Sequence, residues 1–352
     1  MLFKKILFLF CPFVLIIFFL FSFSWKSENN YPEKLSEWNF FKGKLADLNP
    51  EKDVHPYELR TPLFSDYAQK ARYVRLPDGA KAKYHPTEVF DFPIGTIIIK
   101  NFYYSNDFRK PEKGRRILET RLLIHEPNGW ESISYIWNDD QKEALLDLAG
   151  DSKQVSWIDE KGKKHSLDYQ IPNKNQCKGC HSFNNKIKPI GPTARQLNGD
   201  YQYNNEKENQ LAYWQKNKMI ENLPENSKEI PQIAIWNDAA NFSVDSRARA
   251  WLDINCAHCH RAEGPASTSG LLLSIYEQNS TALGIFKTPV AAGRGSGGFS
   301  FDIEPGKPEK SILVHRMESL DPGVMMPEIA RKLVHKEALQ LIKEWIRTME
   351  KS

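Results

Sequence analysis

Four of the five cysteines in this chain lie in two Cys-x-x-Cys-His motifs, Cys177-Lys178-Gly179-Cys180-His181 and Cys256-Ala257-His258-Cys259-His260. Two thiols at this spacing lie on one turn and can form thioethers with the two vinyl groups of a haem, while the next histidine binds the iron. The motifs therefore predict two covalently bound haems c. The predicted attachment sites are Cys177, Cys180, Cys256 and Cys259, and the predicted proximal iron ligands are His181 and His260.

Zinc binding and thiol redox chemistry are the competing interpretations of Cys-x-x-Cys pairs. A tetrahedral zinc site uses such pairs, but it needs no histidine directly after the second cysteine, and here a histidine holds that position twice. A thioredoxin-like motif opens a helix in a βαβ unit and occurs once. Neither flank shows that pattern, so we favour haem.

Residues 1–25 have the composition of an export signal or a membrane anchor. Lys4 and Lys5 precede an uncharged run over 6–25. Ser22-Phe23-Ser24 is a weak version of the small-x-small cleavage site of a signal peptide. Twenty apolar residues can also span a bilayer with the lysines on the cytoplasmic side. Both interpretations are open, and both place the rest of the chain in the periplasm or on the outer face of the cytoplasmic membrane of a bacterium.

The overall composition fits a globular protein with more than one core. The chain has 352 residues, of which 41% are hydrophobic, and its formal net charge is +4. Such a small charge without a basic stripe excludes a typical nucleic-acid-binding surface. We expect membrane contact only through residues 6–25.

Residues 57–173 carry short apolar or alternating runs broken by Pro, Gly and Asn. The segments 96–100, 117–124 and 130–137 are examples, and Asn128-Gly129 between the last two is a hairpin signal. This pattern predicts an antiparallel sheet.

The sixth ligand of the first haem iron is left undecided by the sequence. Met219 is the next methionine after His181, but Leu211, Trp214 and Ile220 recur around it at helical spacing, which favours a packing role. Four histidines of the sheet region are weaker candidates: His55, His85, His125 and His165. A five-coordinate iron is the remaining alternative.

Helical periodicity is clear in the last third of the chain. Residues 245–255 begin with an Asp-Ser cap signal and lead into the second motif. Residues 338–349 repeat apolar side chains on one face. Two such helices beside a haem resemble a class I cytochrome c domain.

That resemblance implies a thioether ligand from the turn-rich loop 321–328. Cytochromes of this type commonly place the ligand directly before a proline, so the resemblance favours Met326 over Met325 as the distal ligand of the second haem. Met317 is a lesser candidate because it lies in a helical pattern.

The predicted fold class is therefore an α+β multidomain protein with an N-terminal apolar leader or anchor. Its predicted parts are the leader or anchor at 1–25, a linker at 26–55, a β-rich antiparallel domain at 56–172, a loop and helical first haem-binding segment at 173–235, and an all-α class I cytochrome c domain with the second haem at 236–352.

Several strings resemble a family of bacterial exported dihaem c-type cytochromes that has no established substrate. They lie at 56–59, 61–68, 92–96, 119–123 and 253–260, and the likeness runs from about Tyr31 to the C-terminus. Members are often encoded beside a parallel β-helix repeat protein, which implies that protein as a partner.

Two functions follow from these predictions. The first is electron transfer in the cell envelope between redox partner proteins. The second is a redox enzyme, peroxidase-like or another oxidoreductase, with an open coordination site at the first haem. Arg195 and Arg294 follow the two motifs and are candidates to bind haem propionates.

Overall fold

The computed structural model describes residues 31–350, except 204–205 and 291. The chain divides into two compact units, Met1–Pro32 and Glu33–Ser352. The predicted leader at 1–25 lies outside the described residues. Among the helices that are described, none has the length and apolar character needed to cross a membrane.

Short strands dominate the described part of the second unit. In chain order they are β1 Val54–Tyr57, β2 Gln69–Arg75, β3 Ala82–Lys83, β4 Ile97–Ser105, β5 Arg115–Glu126, β6 Gly129–Trp137, β7 Ala144–Asp147, β8 Asp151–Ile158, β9 Lys164–Ile171, β10 Ser182–Phe183, β11 Lys186–Ile187, β12 Asp200–Tyr203, β13 Glu206–Asn209 and β14 Ile220–Glu221.

Six strands form the main sheet, in the order β1-β2-β4-β5-β6-β7. Every neighbouring pair is antiparallel, as the alternating runs predict. The hairpin between β5 and β6 closes at Glu126 opposite Gly129, where Gly129 has a φ of 119° that other residues rarely adopt. β8 and β9 form a separate antiparallel hairpin.

The helices are short. The α-helices are α1 Lys174–His181, α2 Ala194–Leu197, α3 Gln210–Lys216, α4 Val244–Asn255, α5 Ile312–Glu318 and α6 Lys336–Thr348, and the 3-10 helices are Leu35–Trp38, Leu45–Asp47, Pro111–Lys113, Ser227–Glu229, Ser267–Ser269, Gly293–Ser296 and Pro308–Lys310. α6 packs against α4 and α5, and the three share a core that includes Trp251, Leu313 and Ile342.

The predicted fold class is wrong in its C-terminal part. Within the described residues, 236–352 does not form a separate all-α cytochrome c domain; it belongs to the same compact unit as the sheet. The physical reason is a shared interior. Ile254 of α4 lies in one core with Val74 and Ile98 of the sheet, and the buried Asp66 carboxylate accepts the backbone N–H groups of Lys332 and Leu333 at 2.8 to 2.9 Å.

Candidate functional site

The first motif is delivered by helix α1. Asn173 and Gln176 form a capping box at its start, which satisfies free N–H groups of the first turn. Cys177, Cys180 and His181 then fall on the helix and its last turn. The Nδ1–H group of His181 donates to the Lys188 carbonyl oxygen at 2.7 Å, so Nε2 carries the lone pair and is free to bind iron.

The second motif follows the end of helix α4, which begins at the N-cap Ser243. The chain leaves the helix at Cys256, and His260 is 8% exposed. Ser269 Oγ lies 3.4 Å from His260 Nδ1. Burial lowers the pKa of His260 and lowers that of His181 to about 4. Both imidazoles are therefore neutral near pH 7, which is the form that binds a metal.

The two motifs touch each other. Cys259 Sγ lies 3.8 Å from the carbonyl oxygen of Gly179, although the two residues are 80 positions apart in sequence. The neighbouring Asn184 N–H donates to the Glu263 carbonyl at 2.8 Å. Burial, with a smaller contribution from nearby Cys180, raises the pKa of Cys259 to about 12. All four motif cysteines are free thiols.

A cavity of about 1110 Å³ opens beside the first motif. Cys177, Cys180 and His181 line one wall. Three cations of the main sheet line it as well: Arg72, Lys100 and Arg121. His181 is the only histidine among the lining residues, and they include no methionine.

A second cavity, of about 1050 Å³, opens beside the second motif. Its lining includes Cys256, His260, Trp251, Met317 and Met326. Met325, by contrast, is 9% exposed and does not line this cavity. The Met326 N–H donates to the Arg316 carbonyl at 3.0 Å, which holds the loop in place on this side of the cavity.

A smaller cavity of about 580 Å³ shares lining residues with the cavity beside the first motif and with the cavity beside the second motif. Cys180 lines it together with the first cavity, and Met326 lines it together with the second. Its lining also contains His258 and His335. The Nδ1 atom of His258 is buried without a hydrogen-bond partner.

Each motif presents the donors that a covalently bound haem would need. Each motif offers two free thiols and one neutral imidazole, half-buried at His181 and buried at His260, beside an open cavity. Within the described part of the chain, no three Cys, His, Asp or Glu side chains are grouped so that they could hold a metal ion.

The weaker ligand candidates lie elsewhere. Met219 is 4% exposed in the apolar core of the sheet. The four histidines have other contacts: His55 with Tyr213, His85 with the backbone N–H groups of Thr87 and Glu88, His125 with the Phe92 carbonyl, and His165 with Asp159. None of these five residues lines the cavity at His181.

Sequence analysis missed two features of this region. One is the set of three cations on the sheet, whose residues lie on three strands and therefore form no motif. The other is His335, whose ring stacks on Phe64 with centroids 4.2 Å apart. Of the two predicted propionate ligands, Arg195 is paired with Asp253 at 2.9 Å and Arg294 with Asp321 at 2.8 Å.

Comparisons with known proteins give no match for this chain, whether against family models, curated proteins or solved structures.

Proposed function

We propose that this chain is a dihaem c-type cytochrome that transfers electrons in the cell envelope. The observation that carries the proposal is the contact between the two motifs, with Cys259 Sγ 3.8 Å from the Gly179 carbonyl oxygen. Two haems bonded to Cys180 and Cys259 would have neighbouring edges. Such closeness suits electron exchange within the chain.

The residues of this chain orient the cofactors and tune them. Bound haem supplies one-electron iron chemistry. The Lys188 carbonyl fixes the tautomer and the ring orientation of His181. In the second cavity, which His260 also lines, Met326 offers a thioether, and Met/His ligation raises the reduction potential relative to two histidines.

Covalent haem stoichiometry is the direct test. We expect the protein, produced in cells that attach haem c, to give two haems per chain in a pyridine haemochrome assay and the corresponding mass increase. A Cys256→Ala, Cys259→Ala variant should retain one haem. Recovery of zinc in place of haem would overturn the proposal.

A redox enzyme at the first haem is the second candidate function. It is favoured by one observation: in the larger of the two cavities that His181 lines, His181 is the only His or Met residue, whereas the other cavity also contains His258. An iron bound there by His181 would keep its other face open. We expect carbon monoxide to bind the reduced protein at one haem per chain; two inert low-spin haems would favour pure electron transfer.

On this proposal the partners are redox proteins of the cell envelope. A neighbouring parallel β-helix repeat protein is the specific partner that the family resemblance implies.

A further inference from the structure

Three positively charged side chains lie in register across the main sheet. Arg72 on β2 is paired with Lys100 on β4, and Lys100 is paired with Arg121 on β5. Directly opposite residues of antiparallel strands point to the same face, and like charges at such positions are destabilising. We call these three residues the cation row. It requires neighbouring negative charge to be stable.

The carboxylates of this chain supply only part of that charge. Glu58 pairs with Arg72, and the buried Glu119 accepts two hydrogen bonds from Arg121. In the described residues no carboxylate lies within ion-pair distance of Lys100, or of Lys70 on the same face of β2. Lys70 has Glu58 and Asp66 nearby. Within the cation row, three cationic side chains face the two carboxylates Glu58 and Glu119, so among the described residues Lys100 has no carboxylate partner.

Arg72 also has buried hydrogen-bond donors without acceptors. The residue is 4% exposed, and its Nε and Nη2 atoms are buried with no partner. A buried, unpaired guanidinium donor costs about 1 to 3 kcal/mol. Burial, together with the neighbouring Arg72, lowers the pKa of Lys100 well below its ordinary value. The unpaired donors of Arg72 call for an acceptor, and a bound anion would also favour the charged form of Lys100.

The cation row lines the same cavity as Cys177, Cys180 and His181. A haem bonded through its vinyl groups to the two cysteines carries its two propionate carboxylates on the far side of the ring. A propionate carboxylate would give Lys100 and the unpaired donors of Arg72 the negatively charged partner that they lack. Arg is the side chain best suited to pair with a carboxylate through two hydrogen bonds.

We propose that the cation row Arg72, Lys100 and Arg121 is the binding site for the propionates of the haem carried by Cys177 and Cys180. This inference rests on the proposed dihaem function. It assigns the main sheet a specific role, which is to hold the first haem by its charged edge. Arg195 and Arg294 do not line this cavity; Arg195 pairs with Asp253 and Arg294 with Asp321.

A Lys100→Met variant tests the proposal, because Lys100 has no ion pair to break. Its matched control is Lys142→Met, which removes an exposed lysine paired with Asp140 on the surface. Two quantities are measured: the propionate bending bands in resonance Raman spectra and the midpoint potentials of both haems.

In Lys100→Met we expect the propionate band to shift and one of the two potentials to fall, because loss of a nearby cation favours the oxidised iron. The expected change is about tenfold in the equilibrium constant for reduction, or about 59 mV. Lys142→Met should change neither quantity. Arg72→Gln should act like Lys100→Met and serves as a second test if that variant does not fold. Unchanged bands and potentials in a variant that holds two haems would overturn the proposal.

A free anion is the other source of negative charge for the row. If inorganic phosphate changes the haem spectrum of the wild-type protein, and if Lys100→Met abolishes that change, the row takes a soluble anion instead and the propionate assignment fails. Absence of covalent haem from the wild-type protein would overturn both proposals together, whereas unchanged spectra in a haem-loaded variant would overturn only this one.

Discussion

The indole N–H of Trp251 donates to Nδ1 of His335 at 3.1 Å, which places the proton of the neutral imidazole on Nε2. The ring also lies parallel to Phe64, with an interplanar angle of 9°. Both residues line the cavity that contains Met326 and His258. His335 is therefore a neutral hydrogen-bond acceptor in the lining of this cavity.

We expect the free energy of unfolding to fall as the pH drops below about 6.5. Burial lowers the pKa of His335 to about 4. As the pH falls, this histidine therefore binds a proton at a higher pH in the unfolded chain than in the folded chain. The contribution of neutral His335 to the free energy of unfolding is complete above its unfolded pKa and is lost as the pH falls through its folded pKa. The loss is about 2 kcal/mol near pH 5.

Urea unfolding at about pH 7 and about pH 5 measures this loss. His335→Phe should reduce the difference between the two values by about 2 kcal/mol, since the variant keeps an aromatic ring and removes the titrating group. If the His335→Phe variant keeps the wild-type difference in the free energy of unfolding between the two pH values, a group other than His335 is responsible for that difference.

Met326→Ala should remove the absorption band of a thioether bound to ferric haem and lower one potential, on the order of 0.1 V. The reason is that Met326 lines the cavity of His260. Met325→Ala is the matched control, because Met325 does not line that cavity, and should preserve the band. If Met317→Ala alone removes the band, Met317 is the ligand.

Asn173→Ala should destabilise the protein by about 1 kcal/mol and reduce haem attachment at the first motif. The side chain caps helix α1, which carries Cys177 and Cys180, and loss of such a cap costs about 0.5 to 2 kcal/mol. Asn226→Ala removes a similar cap from an exposed 3-10 helix away from the motifs. Equal loss of haem in both variants would contradict a local effect of the cap.

Gly264→Ala should destabilise the second motif, at a cost of about 1 to 3 kcal/mol. A Cβ atom at this position would clash with the carbonyl oxygen of Cys259, so the backbone would have to move. Gly179→Ala is the comparison, because its Cβ would meet only the end of the Ile329 side chain at 3.3 Å. Thermal unfolding and haem content should be near wild type for Gly179→Ala and reduced for Gly264→Ala.

Local patterns in the sequence predict local structure well here. Helix α4 was expected at 245–255 and spans Val244–Asn255; α6 was expected at 338–349 and spans Lys336–Thr348. The hairpin at Asn128-Gly129 was predicted from two residues. In each case the predicted position of the element and its observed position differ by only a few residues.

Contacts between distant segments could not be predicted in the same way. The periodicity of α4 shows that Ile254 is apolar, but not that it packs with Val74 and Ile98 of the sheet. Likewise, the register that aligns Arg72, Lys100 and Arg121 depends on two strand pairings. The error in the fold class and the missed cation row both have this origin.

The contact between Gly179 and Cys259 also constrains the order of events during biogenesis. Thioether formation requires access to each thiol, and Cys177 is only 8% exposed in the folded chain. The first motif is synthesised about 80 residues before its neighbour. If the two motifs carry haem as proposed, the chain must remain open until all four thiols have reacted, so attachment at both sites would precede closure of the shared interior.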